Sequence, residues 1–193
     1  MRAIFLDKDG TLIPDVPYNV DPDLITLSDK AAEGLRLMRE LGYRLIVITN
    51  QSGIARGMFE PAALQGVQAR IAALLADHGV TIDGFYYCPH HPQGKVAPYA
   101  RDCDCRKPMP GMLLQAAREH GIDMAQSWMI GDILNDVEAG KRAGCRSILI
   151  DNGNETEWVP GGLRTPDSVV ANLLEAAQAI ARATQSDTED MRQ

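Results

Sequence analysis

Short apolar runs that stop at acidic, hydroxyl or glycine residues alternate along this chain with stretches of helical periodicity. A layered α/β sheet satisfies both patterns at once. Ala3-Ile4-Phe5-Leu6 is the first run, ended by Asp7. Residues 44–49 (RLIVIT), 84–87 (GFYY), 128–131 (WMIG) and 147–150 (SILI) repeat it, and each predicts a buried strand. Between the runs, apolar residues recur every three or four positions: Ala32, Leu35, Met38 and Leu41 within 29–41, then Leu64, Val67, Ile71 and Leu75 within 60–77. Further helices are expected at 111–120, 134–143 and 169–184. Strand–helix alternation of this kind predicts an α/β fold with a mostly parallel sheet. Such sheets bind ligands beyond the carboxyl ends of their strands. Asp7, Thr49 and Gly131-Asp132 are therefore expected to share one rim.

At 193 residues the chain suits one domain, expected over 1–184, with 185–193 (QSDTEDMRQ) a flexible polar tail lacking an apolar face. Apolar residues make up 45% and charged residues 23%, a composition able to bury a sizeable core. The formal net charge is −7, the wrong sign for non-specific nucleic-acid binding. No run approaches the ~20 apolar residues of a membrane span. Asp7 also cuts the N-terminal run far short of the roughly 7–15 residues of a signal-peptide core. A cytoplasmic chain with neither membrane nor nucleic acid as partner is expected.

Asp7 and Asp9 flank Lys8 where the first strand runs out. Two carboxylates two apart in extended chain point to the same side, so both reach one small volume. Such a pair suits a hard divalent cation, or it divides labour between nucleophile and proton carrier. A solvated turn closed by Gly10 is the plainer alternative. Farther on, Cys88-Pro89-His90 and Cys103-Asp104-Cys105 bracket a stretch rich in Pro, Gly and Lys with little to pack. Three thiolates and an imidazole form a tetrahedral Zn²⁺ set, and a site filled by four protein ligands is structural. His91 is the alternative to His90, and an accidental cluster of buried cysteines is the bland alternative to the site. Cys145 reads as a small core residue, and His78 and His120 as helix-terminal residues that favour the dipole.

Asp7-Lys8-Asp9-Gly10-Thr11-Leu12, the Thr49-Asn50 strand end, Lys107-Pro108 and Gly131-Asp132-x-x-x-Asp136 stand in the order of four motifs. Together they resemble the haloacid dehalogenase superfamily of phosphohydrolases. The resemblance implies a Rossmann-like sheet with helices on both faces and no large cap, since 12–43 hold one expected helix and little else. It implies Asp7 as nucleophile and Asp9 as the acid that protonates the leaving group and then activates water. Thr49 and Lys107 would hold the phosphoryl oxygens. Catalytic Mg²⁺ would take Asp7, the backbone carbonyl of Asp9, and Asp132, with Asp136 bracing the loop.

The runs ITNQSGIARGMF, CPHHPQG and CDCRKPMPGM narrow the resemblance to the D-glycero-D-manno-heptose-1,7-bisphosphate 7-phosphatase family. This implies removal of the 7-phosphate from a heptose bisphosphate, in precursor synthesis for lipopolysaccharide or surface glycans, by a monomer. Asp15, Val16, Pro17 and Tyr18, then Thr49, Asn50, Gln51 and Ser52, with Arg106 and Lys107, would line the substrate pocket. Relatives often carry lysine after the fourth-motif aspartate, where this chain has Ile133. Histidinol-phosphate phosphatases share the aspartate motif and CDCRKP, but their metal loop is typically shorter than the twelve-residue span between His90 and Cys103. A non-catalytic zinc module that binds a sugar phosphate has no need of both Asp7 and Asp9. A phosphomutase normally needs a cap to exclude water, and this length does not supply one.

Overall fold

The computed structural model describes residues 1–159 and 161–190. Six strands form one sheet: β1 (Ala3–Leu6), β2 (Arg44–Asn50), β3 (Gly84–Cys88), β4 (Trp128–Gly131), β5 (Arg146–Ile150) and β6 (Ser168–Val170). Their order is β3-β2-β1-β4-β5-β6, and every pairing is parallel. β1 lies at the centre, with Ile4 opposite Leu45 on one side and Trp128 on the other.

Alternation along the strands divides the core in two. Ile4 and Leu6 of β1 face one way, where they join Leu45 and Val47 in a cluster with Leu35, Met38, Val67, Ile71, Ala176 and Ile180. Ala3 and Phe5 face the other way, into a cluster with Ile46, Ile48, Met112, Leu113, Ala116 and Ala139. The first layer of helices is α1 (Ala31–Glu40), α3 (Ala63–Ala76) and α6 (Leu173–Asp190); the second is α4 (Gly111–His120) and α5 (Leu134–Ala143). Both faces are covered, as parallel strands require. A short α2 (Ser52–Ala55) follows β2 directly, and it is too brief to leave a periodic signature.

The last expected helix needs correction. Ser168–Val170 pair with Ile148–Ile150 as β6, and the helix begins only at Leu173. The β-branched Val169-Val170 pair favours a strand, and the Asn172 side chain accepts the Glu175 backbone N–H at 3.0 Å to start the helix. That helix then continues to Asp190, past the expected end at 184. The remaining residues of the expected tail, 191–193, lie outside the described residues.

Between β1 and β2 the chain holds α1 and one turn of 3₁₀ helix at Pro22–Leu24, with nothing large enough to roof the rim. No helix among the described residues is long and apolar enough to cross a membrane.

Candidate active site

The carboxyl ends of β1, β2 and β4 lie side by side, and their sequels build the site. The Asp7 N–H donates to the Ile130 carbonyl at 2.9 Å, extending the β1–β4 ladder by one rung and setting Asp7 beside the end of β4. Gly10 then turns the chain at a φ of +82°, where a side chain would be strained. A Cβ there would also run into the Asp132 carboxylate. Lys107 arrives from the loop before α4. The Asn50 side chain, at the end of β2, holds that loop from both sides: its amide donates to the Lys107 carbonyl at 3.1 Å, and its oxygen accepts the Lys107 N–H at 3.0 Å.

Lys107 is buried, and its Nζ lies 2.6 Å from Asp7 Oδ1, 2.7 Å from Asp136 Oδ1 and 2.9 Å from the Ile48 carbonyl oxygen. Burial opposes its charge, but Asp136 and Asp7 outweigh that and hold the ammonium above its ordinary range. Burial pushes Asp7 up to about 6, with Lys107 pulling it down. Asp132 is pushed up to about 8, first by burial and then by the neighbouring Asp7 and Asp136 charges. Oxygens of Asp7, Asp132 and Asp136 lie within 4.8 Å of one another. Three clustered carboxylates sharing one ammonium are short of positive charge. A hard divalent cation held by oxygens fits that deficit.

Asp9 lies beside the cluster. Its carboxylate accepts from Lys8 Nζ at 2.8 Å and from Gln51 Nε2 at 3.2 Å. Burial raises its pKa, and Lys8 opposes the rise. Gln51 Nε2 also donates to Thr49 Oγ1 at 2.8 Å, so one amide links the ends of β1 and β2. A cavity of about 200 Å³ gathers Asp7, Asp9, Thr49, Lys107, Asp132 and Asp136 among its walls. A neighbouring cavity of about 300 Å³ is lined by Asp15, Pro17, Tyr18, Asn50, Gln51 and Ser52, and shares Asp9, Asp15 and Asn50 with the first.

Most of the expected substrate residues therefore adjoin these cavities. Val16 faces a separate small cleft, and Arg106 lines neither of the two. Lys8, Asn19 and Gly53 in the larger cavity, and Asn154 in the smaller, escaped the sequence reading. Asn154 lies four residues beyond the end of β5, too far from the strand for the rim rule that picked out Asp7 and Asp132 to mark it.

Cys88, at the end of β3, meets His90, Cys103 and Cys105. Their ligand atoms stand 3.0 Å (Cys105–Cys88) to 3.6 Å (Cys88–His90 Nδ1) apart. With metal–sulfur bonds of about 2.3 Å, a tetrahedral edge is about 3.8 Å, so the four can hold one metal ion with little movement. The Cys105 thiol is held down at about 5, first by its hydrogen-bonding contact with Cys88, which favours thiolate. His91 stands apart: its Nδ1 accepts the Gln93 N–H at 3.1 Å and its Nε2 faces Arg56. The cluster ties the end of β3 to Cys105, two residues before Lys107.

A protein-family model described as HAD-hydrolase-like matches residues 104–176. Over 179 residues the chain is 42% identical to D-glycero-beta-D-manno-heptose-1,7-bisphosphate 7-phosphatase of Yersinia pestis, covering 92% of this chain and 94% of that one. The protein of that name from Pasteurella multocida (strain Pm70) is 47% identical over 153 residues, 79% of this chain and 83% of its own. The crystal structure of D,D-heptose 1,7-bisphosphate phosphatase from B. bronchiseptica, complexed with magnesium and phosphate, has a TM-score of 0.81 at 31% identity. That match covers 95% of this chain and 99% of the other.

Proposed function

The chain belongs to the D-glycero-beta-D-manno-heptose-1,7-bisphosphate 7-phosphatase family, and from that premise we propose that it hydrolyses the 7-phosphate of the heptose 1,7-bisphosphate. The products are heptose 1-phosphate and inorganic phosphate. The observation that carries the reading is the buried Asp7–Lys107 pair facing Asp9 and Asp132 across one open cavity.

Asp7 attacks the 7-phosphorus in line, forming an aspartyl-phosphate as the C7 alkoxide leaves. Asp9 delivers a proton to that alkoxide, worth on the order of 10²–10⁴ in rate, and burial, by raising its pKa, favours the protonated form that this step needs. Asp9 next takes a proton from water, which attacks phosphorus and frees Asp7. Lys107 keeps Asp7 ionised and, with the Thr49 hydroxyl, meets the phosphoryl oxygens. Asp7, the Asp9 carbonyl and Asp132 would hold Mg²⁺, which supplies charge neutralisation when bound. Asp136 keeps Lys107 in place and braces the start of α5 by accepting the Ile133 N–H.

The Cys88, His90, Cys103 and Cys105 cluster takes Zn²⁺ as a structural ion. The neighbouring cavity at Asp15, Pro17, Tyr18 and Asn50–Ser52 takes the sugar. The enzyme acts as a cytoplasmic monomer, and its product feeds lipopolysaccharide or surface-glycan precursors.

A comparison of kcat/KM tests the proposal, using the α and β anomers of heptose 1,7-bisphosphate and histidinol phosphate, with Asp7→Asn as the blank. A β-anomer value at least tenfold above the others, and loss of phosphate release in the blank, is the expected result. Preference for histidinol phosphate would overturn the substrate, and an active Asp7→Asn protein would overturn the nucleophile.

A further inference from the structure

The loop after β5 sends three polar side chains toward the site, and no motif assigns it a role. Asn152 Nδ2 donates to the Gly10 carbonyl at 2.6 Å, at the turn that follows Asp7 and Asp9. Asn154 Nδ2 donates to Asp132 Oδ2 at 2.6 Å. The Glu155 carboxylate accepts the Leu134 N–H at 2.6 Å, capping the first turn of α5 just beyond Asp132. The loop is also braced within itself: Asn152 Oδ1 accepts the Asn154 N–H at 3.2 Å, and Glu155 Oε1 accepts the Glu157 N–H at 2.7 Å. One segment thus grips the turn after β1, the carboxylate after β4 and the helix that follows it.

We propose that Asn154 is a positioning residue for the active-site cation: it fixes which Asp132 oxygen faces the metal, while Asn152 and Glu155 hold the loop that delivers it. The argument is geometric. A carboxylate has two oxygens, one of which lies within 4.8 Å of oxygens of Asp7 and Asp136, and a donor on Oδ2 makes the two oxygens unequal and fixes the rotation of the group. Without that donor the Asp132 side chain can rotate, and part of the metal's binding energy goes into ordering it. Asn154 is itself exposed, so nothing in the core depends on it, and its amide still lines the reaction cavity. Gly10 completes the fit. A Cβ there would come 2.5 Å from Asn154 Nδ2, so the turn after β1 leaves just enough room for the amide to reach Asp132.

This inference rests on reading Asp132 as a metal ligand, and the test separates the two. Mn²⁺ binding by electron paramagnetic resonance and Mg²⁺ binding by calorimetry are measured on the full chain, alongside the melting temperature of the metal-free protein. Three proteins are compared: wild type, Asn154→Leu (equal in size, without a donor) and Asp132→Ala. The expected result for Asn154→Leu is a metal Kd raised about tenfold, at the low end of outer-shell effects. Its metal-free melting temperature stays within about 2 °C of wild type. In the phosphatase assay the Mg²⁺ concentration for half-activation rises in parallel, whereas kcat at saturating Mg²⁺ falls less than threefold. Wild-type metal affinity in Asn154→Leu, with binding lost in Asp132→Ala, overturns this inference alone. Retained binding in Asp132→Ala overturns the metal assignment beneath it. A metal-free melting temperature that falls in step with affinity makes Asn154 a structural residue and also overturns the proposal.

Discussion

Lys107 contacts Asp7 at 2.6 Å and Asp136 at 2.7 Å, and Asp132 has no such cationic partner within the cluster. Its carboxyl is pushed up to about 8 in the metal-free protein, so at neutral pH it carries a proton that an incoming cation must displace. The sign follows. A carboxyl whose folded pKa lies above its unfolded value stabilises the fold below that unfolded value, and the contribution is lost as pH rises through 8. A bound cation offsets that loss. Mg²⁺ affinity should therefore climb between pH 6 and pH 8, by up to tenfold per unit, and level off above. Calorimetry in buffers of different ionisation heat checks this: close to one proton released per cation at pH 7, fewer at pH 9. An affinity flat across that range would contradict the assignment. Legibility at this scale followed strand ends. Asp7, Thr49 and Asp132 were visible because each stops an apolar run, and Lys107 because it belongs to a motif. Asn154 was not, because a polar loop has no periodicity to mark which amide turns inward.

Secondary-structure elements explain how those side chains hold their places. Cys105 sits two residues before Lys107, so the cluster of three cysteines and His90 sets the course of the loop that carries the ammonium to Asp7. Cys105→Ser should lower the zinc content measured by elemental analysis well below one per chain. It should also lower the melting temperature by about 5–10 °C, as expected for losing roughly 2–3 kcal/mol in a chain of this size. Phosphatase activity should fall with it. A variant with full zinc and unchanged melting would remove the anchoring role. On the far side of the sheet, α1 crosses α6 at Gly34, where a Cβ would press on the Leu173 carbonyl and come 2.7 Å from the Leu174 nitrogen. Backbone cannot yield as a side-chain tip can, so Gly34→Ala should cost about 1–3 kcal/mol in urea unfolding. Its kcat should stay unchanged, since Gly34 is remote from the rim. Helix α1 was legible from its apolar spacing, but this close approach was not, because periodicity says which face is buried and not what it meets. The same limit explains β6. Three residues are too few for a pattern, so the strand preference of Val169-Val170 shows only once β5 offers its edge.

For the molecule as a whole, alternating runs were enough to read a mostly parallel α/β sheet, because each strand's composition reports burial on both faces. Strand order was beyond them. The interiors of β1, β2, β4 and β5 are all fully buried, so composition cannot tell the central strand from its neighbours. The observed order makes β1 the seam of the sheet, with β2 and β3 on one side and β4, β5 and β6 on the other. That seam has a consequence for biosynthesis. β1 and β2 are made early, but roughly 80 residues separate the end of β2 from the end of β4. At about 5–20 residues per second, the ribosome needs several seconds to supply them. Throughout that interval the strand that carries Asp7 keeps one bare edge, open to pairing with other nascent chains. The hazard ends when the second half of the chain emerges, so a stall in translation between β3 and β4 prolongs it.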